Sequence, residues 1–377
     1  MSYAWVATAM TNGQILEDLP DLAVEDIAVG LCEYQSATAD LPIASAPDEW
    51  ERATLPGATV LNLIDSDNDD TPVYGAFITH RNKSTDDDKI PLSMVTLEGY
   101  FNRRFVRDVS YTQVGQNQIV ADLVQRYITQ GSNGGIPLRI VKVGTDDGPL
   151  RDRDYEEALG KSVYSCLTEL SDLPDGPEWT IGWERQHNPE RITPVLYIGT
   201  RVGTAADPVL GTATTFEVPG SAGSVSLDED YTEGHGANDV TATSTAVGSD
   251  QPQSDHIVTV DPLRPTFEDR FTPTTDVTDN ATLNDHARAR AQRIFGSTKT
   301  VAIEAIAEDA PRLGIDWFIG DDIGYYVSPD YENPDSNERT AFPRGADGIR
   351  RVIGWQIKFD DVEKIIPVFE EPTDGDT

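Results

Sequence analysis

LSMVTLEGYFNRRFVRDVSYTQVGQNQIVADLVQRYITQ, Leu92 to Gln130, is the stretch on which the reading of the fold turns. Its first nine residues, Leu92 to Tyr100, are rich in β-branched and apolar side chains and read as a strand. Three arginines, Arg103, Arg104 and Arg107, follow at once. A helix is then expected from about Asn117 to Gln130, because Ile119, Val120, Leu123, Val124, Tyr127 and Ile128 recur at helical spacing. Gly131, Asn133, Gly134 and Gly135 tolerate positive φ and can end it. The chain thus reads as β-structure leading into a small α/β unit, with β-structure leaving it.

Upstream, Tyr3, Trp5 and Val6 open an aromatic start, and Pro20 interrupts the acidic stretch ILEDLPDLAVEDIAVGL. Leu55 to Thr79 reads as a hairpin, strand ATVLNLI, turn DSDNDDTP and strand VYGAFITH, and RNKSTDDDK makes the next turn. A meander of short strands of this kind belongs to a barrel or sandwich. DSDNDD invites a test as a calcium loop. With Asp65 as position 1, position 6 is Asp70 where glycine is needed, and position 12 is Ala76 where a bidentate Glu is needed. An acidic hairpin turn is the better reading.

Downstream, Pro137 to Val143 reads as a strand, and a second helix is expected from near Asp154, with Glu157 completing a capping box. Its apolar face would use Tyr155, Ala158, Leu159, Val163, Cys166, Leu167 and Leu170. Trp179, Ile181 and Trp183 alternate with Thr180, Gly182 and Glu184, a period-2 strand whose hairpin partner is Pro194 to Gly199. Short strands follow at Ala213–Val218, Gly223–Leu227 and Asn238–Ser244, and then a helix around Asn280 to Phe295 closed by Gly296. Its Arg288, Arg290 and Arg293 lie where the helix dipole favours cations. The end is β again, with Ile353, Trp355, Ile357 and Phe359 alternating, before the acidic tail EEPTDGDT. No internal repeat shows at a fixed period.

Composition bounds the function. With 377 residues the chain has room for two to four domains, and 38% apolar content supports packed cores. No apolar run approaches the roughly 18 residues of a membrane span, and the start has no basic region followed by an apolar core. Cys32 and Cys166 are too few for a disulfide scaffold and read as buried apolar side chains. The 29 Lys and Arg against 65 Asp and Glu give a net charge of −36. A protein that grips duplex nucleic acid needs a basic footprint, which this chain lacks. Two readings of the acidity stay open: solubility or salt adaptation, and a surface meant not to hold a polyanion passing close by.

The sequence offers no catalytic constellation. The five histidines, His80, His187, His235, His256 and His286, are dispersed, and no Gly-x-Ser-x-Gly, HExxH, P-loop or Rossmann fingerprint occurs. His235, flanked by glycines, reads as a surface-turn residue. Carboxylate pairs carry little signal when acidic residues are this abundant. No catalytic residue, cofactor or metal site is expected. Arg103, Arg104 and Arg107 are expected to pair with carboxylates inside the chain or between subunits, with anion binding as the lesser alternative.

The segment order Val60–Ile64, Val73–Arg81, LEGYFNRRFV and QIVADLVQRYI, followed by Trp179–Trp183, TLNDHARARAQRIF and LGIDWFIGDDI, resembles the tail-hub proteins of long-tailed bacteriophages, the minor tail or baseplate hub proteins. The resemblance spans about two thirds of the chain and rests on pattern and order. It implies a mainly β fold with α/β inserts: a barrel-like domain at 1–108, an α/β insert at 109–200, a second barrel-like domain at 201–250 plus 297–369, a helical insert at 251–296 and a tail at 370–377. It further implies a non-enzymatic homotrimer at the distal end of the tail, made in the host cytoplasm, whose ring passes DNA without binding it specifically. The implied neighbours are the distal tail protein ring, the tail tube or tape-measure protein, and tail fibres or spikes. The competing reading is a virion-borne or secreted glycan-binding or glycan-hydrolysing β-protein with Trp179 and Trp183 as a sugar platform. It requires one of the two to be exposed beside a carboxylate pair, whereas their alternation on one strand face favours core packing.

Overall fold

The computed structural model describes residues 3–173, 175–244, 251–273, 280–329 and 340–371. The fold is mainly β with α/β inserts, as expected. It divides into two compact units: the first comprises Met1–Ser224 with Ile303–Phe369, and the second holds Val225–Ala302. The acidic tail falls outside the described residues from 372 onward.

The N-terminal strands are β1 (Tyr3–Ala9), β2 (Ile15–Asp18), β3 (Ala23–Val24), β4 (Asp26–Gly30) and β5 (Ser36–Pro42). A helical turn α1 (Trp50–Ala53) precedes β6 (Thr59–Asp65), β7 (Thr71–Arg81) and β8 (Lys89–Thr96). Seven of them make one sheet in the order β2-β1-β6-β7-β8-β5-β3, with every pair antiparallel. Strand β6 is buried along its whole length, and β8 buries every second residue, Ile90, Leu92, Met94 and Thr96. The β6–β7 hairpin turns through the acidic stretch, with Asp69 and Asp70 both at φ of +50°. Arg185 contacts Asp70 at 3.1 Å and Glu190 at 2.5 Å, which sets a cation against the acidic turn.

The strand expected over Leu92–Tyr100 stops at Thr96, and α2 (Glu98–Phe101) is a helical turn. Leu97 and Phe101 are both buried, and four-residue spacing places them on one helical face. After β9 (Val109–Gly115) comes α3 (Gln116–Tyr127), whose Ile119, Val120, Leu123 and Val124 are wholly buried, as the periodicity requires. Strand β10 (Arg139–Lys142) precedes β11 (Leu150–Tyr155), which pairs with β9.

The helix expected from Asp154 does not start there. Residues up to Tyr155 are strand, and α4 (Val163–Ser171) starts after Ser162, whose hydroxyl accepts the Ser165 amide at 3.1 Å. Gly160 at φ +59° makes the left-handed step between them, and Leu159 stays outside the core, 61% exposed. A serine cap with a dedicated hydrogen bond has displaced the acidic capping pattern.

Strands β12 (Glu178–His187) and β13 (Glu190–Gly199) form the expected hairpin, with β10 added parallel to β13. Helices α3 and α4 share a core with this sheet, with Trp179 at its centre. Strand β14 (Thr215–Val218) enters the second large sheet of this unit.

In the second unit, β15 (Ser224–Asp230) leads to β16 (Asp239–Ala242), flanked by β17 (Ile257–Val258) and β18 (Glu268–Phe271). Helix α5 (Asn280–Ile294) buries Leu283, Ala287, Ala291 and Ile294 on this sheet. Arg290 reaches Asp269 at 2.5 Å, with both side chains largely buried.

The chain returns through β19 (Thr298–Ile306), β20 (Asp322–Val327), β21 (Ala346–Phe359) and β22 (Glu363–Phe369). The second sheet of the first unit runs β14-β20-β21-β22-β19, and β4 from the N-terminal region pairs with β21, Gly30 opposite Gly354. A register shift between Val352 and Gly354 breaks the simple alternation. Val352, Trp355 and Ile357 are therefore buried, while Ile353 stays half-buried.

Candidate functional site

The three arginines do not act as one knot. Arg104 works inside the chain: its guanidinium donates to the Tyr100 hydroxyl at 3.0 Å and to the Gln130 carbonyl at 2.7 Å. A side chain at Gly131 would meet both terminal guanidinium nitrogens at 2.9 Å, so that glycine makes room for Arg104 at the end of α3. Arg107 is pinned through its backbone, whose amide donates to the Tyr127 hydroxyl at 3.2 Å. The side chains of Arg103 and Arg107 are exposed and have no carboxylate partner among the described residues. Phe105, between them, is 60% exposed. The result is one internal staple and an outward Arg-Phe-Arg surface.

A cavity of about 370 Å³ lies within the first unit, where three parts of its chain converge. Strand β7 supplies Tyr74 and Gly75, the β8–α2 junction supplies Thr96 and Glu98, and the hairpin supplies Thr180, Trp183 and Tyr197. Trp355 of β21 and Phe318, from the segment before β20, close the other side. This volume corresponds to roughly twelve waters at about 30 Å³ each. Gly75 is needed here, because any side chain would strike the Trp183 ring at 2.2 Å. Tyr74 in turn meets Trp5 and Trp355 edge-on, at 6.1 and 6.2 Å between ring centres.

Polar groups on this wall are buried and only partly satisfied. Glu98 is 2% exposed, and its carboxyl accepts the Ile181 amide at 3.2 Å. Burial pushes its pKa up to about 7, although bonds from its own amide, Thr96 and Ile181 oppose the shift. The Tyr74 hydroxyl and Thr180 Oγ1 are buried without a hydrogen-bond partner. Burial, with Glu98 and Asp26 as nearby negative charges, holds the Tyr74 phenol well above its usual range. A buried polar atom without a partner costs roughly 1–3 kcal/mol, so two such hydroxyls and a buried carboxyl around one void form an arrangement to explain.

No family model matches the chain, and no curated protein matches it in sequence. Solved structures do match in fold. The 43 kDa tail protein of prophage MuSo2 from Shewanella oneidensis superposes with a TM-score of 0.55 at 12% identity, covering 99% of this chain and 100% of that one. A tail protein from Neisseria meningitidis gives 0.54 at 13% identity, covering 98% and 97%. The chain has the fold of phage tail proteins. A chain of the Francisella PdpA–VgrG complex matches at 0.51 and 8% identity, over 98% of this chain and 58% of that one.

Within this tail-protein fold, Trp179 is fully buried and stacks on Phe101 at 6.1 Å, while Trp183 packs against the same core and lies over Gly75. Trp179 is core packing, whereas Trp183 is half-buried and also lines the cavity. Burial pushes the thiols up as well, Cys32 to about 11 and Cys166 to about 12, which makes both poor nucleophiles. Among the described residues no group of three or more His, Cys, Asp or Glu is placed to hold a metal, and no helix is long and apolar enough to cross a membrane. His187 and His235 each lie 3.6 Å from a carboxylate of a surface turn, Asp69 and Asp230. Sequence reading missed Glu98, Tyr74 and Thr180 as a group. The one local signal was an acid inside the apolar run MVTLEGYF, which alternation alone assigned to a strand face.

Proposed function

We propose that the chain is a non-enzymatic structural protein of a phage tail, a hub that assembles as a homotrimer at the distal end of the tail tube. The observation that carries this reading is a tail-protein fold along nearly the whole chain, with two tail proteins covered almost end to end. The tandem large sheets of the first unit, clasped by the β4–β21 pairing, support a twin-barrel subunit. Three such subunits present six similar barrels, a pseudo-sixfold face suited to a hexameric tube. In this reading the barrel-like domains are 1–108 and 201–250 with 297–369, and the inserts are 109–200 and 251–296. The exposed Arg103 and Arg107 then pair with carboxylates of a neighbouring subunit.

In this reading much of the net charge of −36 faces the bore. A cationic lining would add phosphate contacts and hold the DNA back, and an acidic one lets it pass without specific binding. The distal tail ring, the tube or tape-measure protein, and fibres or spikes are the proposed neighbours. Antibody raised against the chain tests this on virions of the phage that encodes it. Gold label confined to the distal tail end is expected, and label on the capsid or along the whole tube overturns the placement.

A further inference from the structure

We propose that the cavity between β7, β12 and β21 is a binding site for a small organic cation, a primary alkylammonium on a compact apolar body. This rests on the cavity's own geometry and stands whether or not the chain is a tail hub. No Lys, Arg or His is among the described residues that line the void, whereas Glu98 and Asp321 do line it. Its walls are aromatic, with Tyr74, Trp183, Tyr197, Phe318 and Trp355. Aromatic faces and an uncompensated carboxylate attract a cation that has left water.

The hydrogen-bonding inventory fits a primary ammonium in particular. Such a group has three N–H donors and no acceptor. The wall offers the Glu98 carboxylate, which no cationic side chain meets, and two hydroxyl oxygens without partners, on Tyr74 and Thr180. Thr180 and Glu98 line the same void, and the Tyr74 phenol feels the charge of Glu98. A guest amine therefore supplies a partner to two unpaired hydroxyls and a counter-charge to the Glu98 carboxylate at once. Its remaining atoms fill an apolar volume that the protein leaves open.

Titration gives the site a signature. The other titratable groups on the wall are Tyr74 and Tyr197, both kept protonated by burial, and Asp321, whose carboxylate accepts the Thr204 and Phe318 amides at 2.6 and 2.8 Å. Glu98 is the group that ionises near neutrality, so affinity rises with pH through that range.

The test is calorimetric titration of the intact protein with 2-phenylethylamine, using 2-phenylethanol as its uncharged counterpart and acetyl-lysine methylamide as a mimic of a neighbour's lysine. Saturable binding of the amine is expected, at least tenfold tighter than the alcohol, several-fold tighter at about pH 8 than at about pH 6, and weakened at least tenfold by Glu98→Gln. If Glu98→Gln fails to fold, the pH series on the unaltered protein decides the matter by itself. Absence of saturable binding at millimolar amine, equal affinity for the alcohol, or affinity that does not change with pH overturns the proposal. Binding of the lysine mimic without binding of the free amine also overturns it, in favour of a docked protein side chain.

Discussion

Replacing Glu98 by Gln keeps the side-chain shape and the acceptor for the Ile181 amide while removing the ionisable group. The folded state holds this carboxyl near a pKa of about 7, above its ordinary value of 4.5. Between those two pH values the folded chain carries more protons at this site than the unfolded chain, so stability falls as pH rises. Below about 4.5 both states are protonated and the penalty is absent; above about 7 it is complete. A gap of about 2.5 units at about 1.4 kcal/mol per unit puts the full penalty at about 3.5 kcal/mol. The self-repulsion of an acidic chain also grows with pH, but it is shared by protein and variant to within one charge. The difference between their stability curves therefore isolates Glu98. Urea unfolding followed by tryptophan fluorescence suits this purpose, because all six tryptophans lie in the first unit and none in Val225–Ala302. The variant is expected to match the protein at about pH 4.5 and to gain up to about 3.5 kcal/mol on it by about pH 8. Parallel curves across that range would refute a buried, uncompensated carboxyl.

Three further outcomes follow from the same structure. Trp179→Ala empties the centre of the hairpin–helix core and is expected to cost about 3–5 kcal/mol in the same urea assay; a loss below about 1 kcal/mol would deny that Trp179 is fully packed. Asp269→Asn removes the buried carboxylate that Arg290 meets at 2.5 Å, an expected cost of about 3–5 kcal/mol. Lost hydrogen-exchange protection along α5 reads this out, and unchanged protection would contradict the buried pair. Charge reversal at Arg103 and Arg107 together is expected to leave the unfolding transition within about 0.5 kcal/mol, since both side chains are exposed, yet to lower the trimer fraction seen by sedimentation. An unaltered trimer fraction would remove these residues from the interface.

Elements whose evidence is local were legible in the sequence. Helix α3, the β6–β7 hairpin and the Trp179–Trp183 strand each carry their periodicity in consecutive residues, and the structure has them at those places. Failures occurred where two local signals competed. Leu97 and Phe101 suit a strand run or a helical turn equally until Thr96 ends its pairing, and the Asp154–Glu157 pattern imitates a cap that Ser162 provides eight residues later. Other features have no local trace. The β4–β21 pairing joins residues more than three hundred positions apart, and the cavity exists only because three distant segments meet around Gly75. Nothing in the sequence of the arginine cluster distinguishes Arg104, which turns inward to Tyr100 and Gln130, from the exposed Arg103 and Arg107. The internal role of Arg104 depends on the space left by Gly131.

The measurement closest to the central claim is the mass of the purified protein by light scattering over a range of salt. A chain of 41.3 kDa forming a three-subunit ring has a mass of 3 × 41.3 = 123.9 kDa. Salt near 0.1 M shortens the reach of charge repulsion to about 10 Å and more salt shortens it further, so the trimer is expected to persist or grow as salt rises. A mass of 41.3 kDa at every salt concentration, together with a monomer when the protein is mixed with its tail neighbours, would contradict the hub.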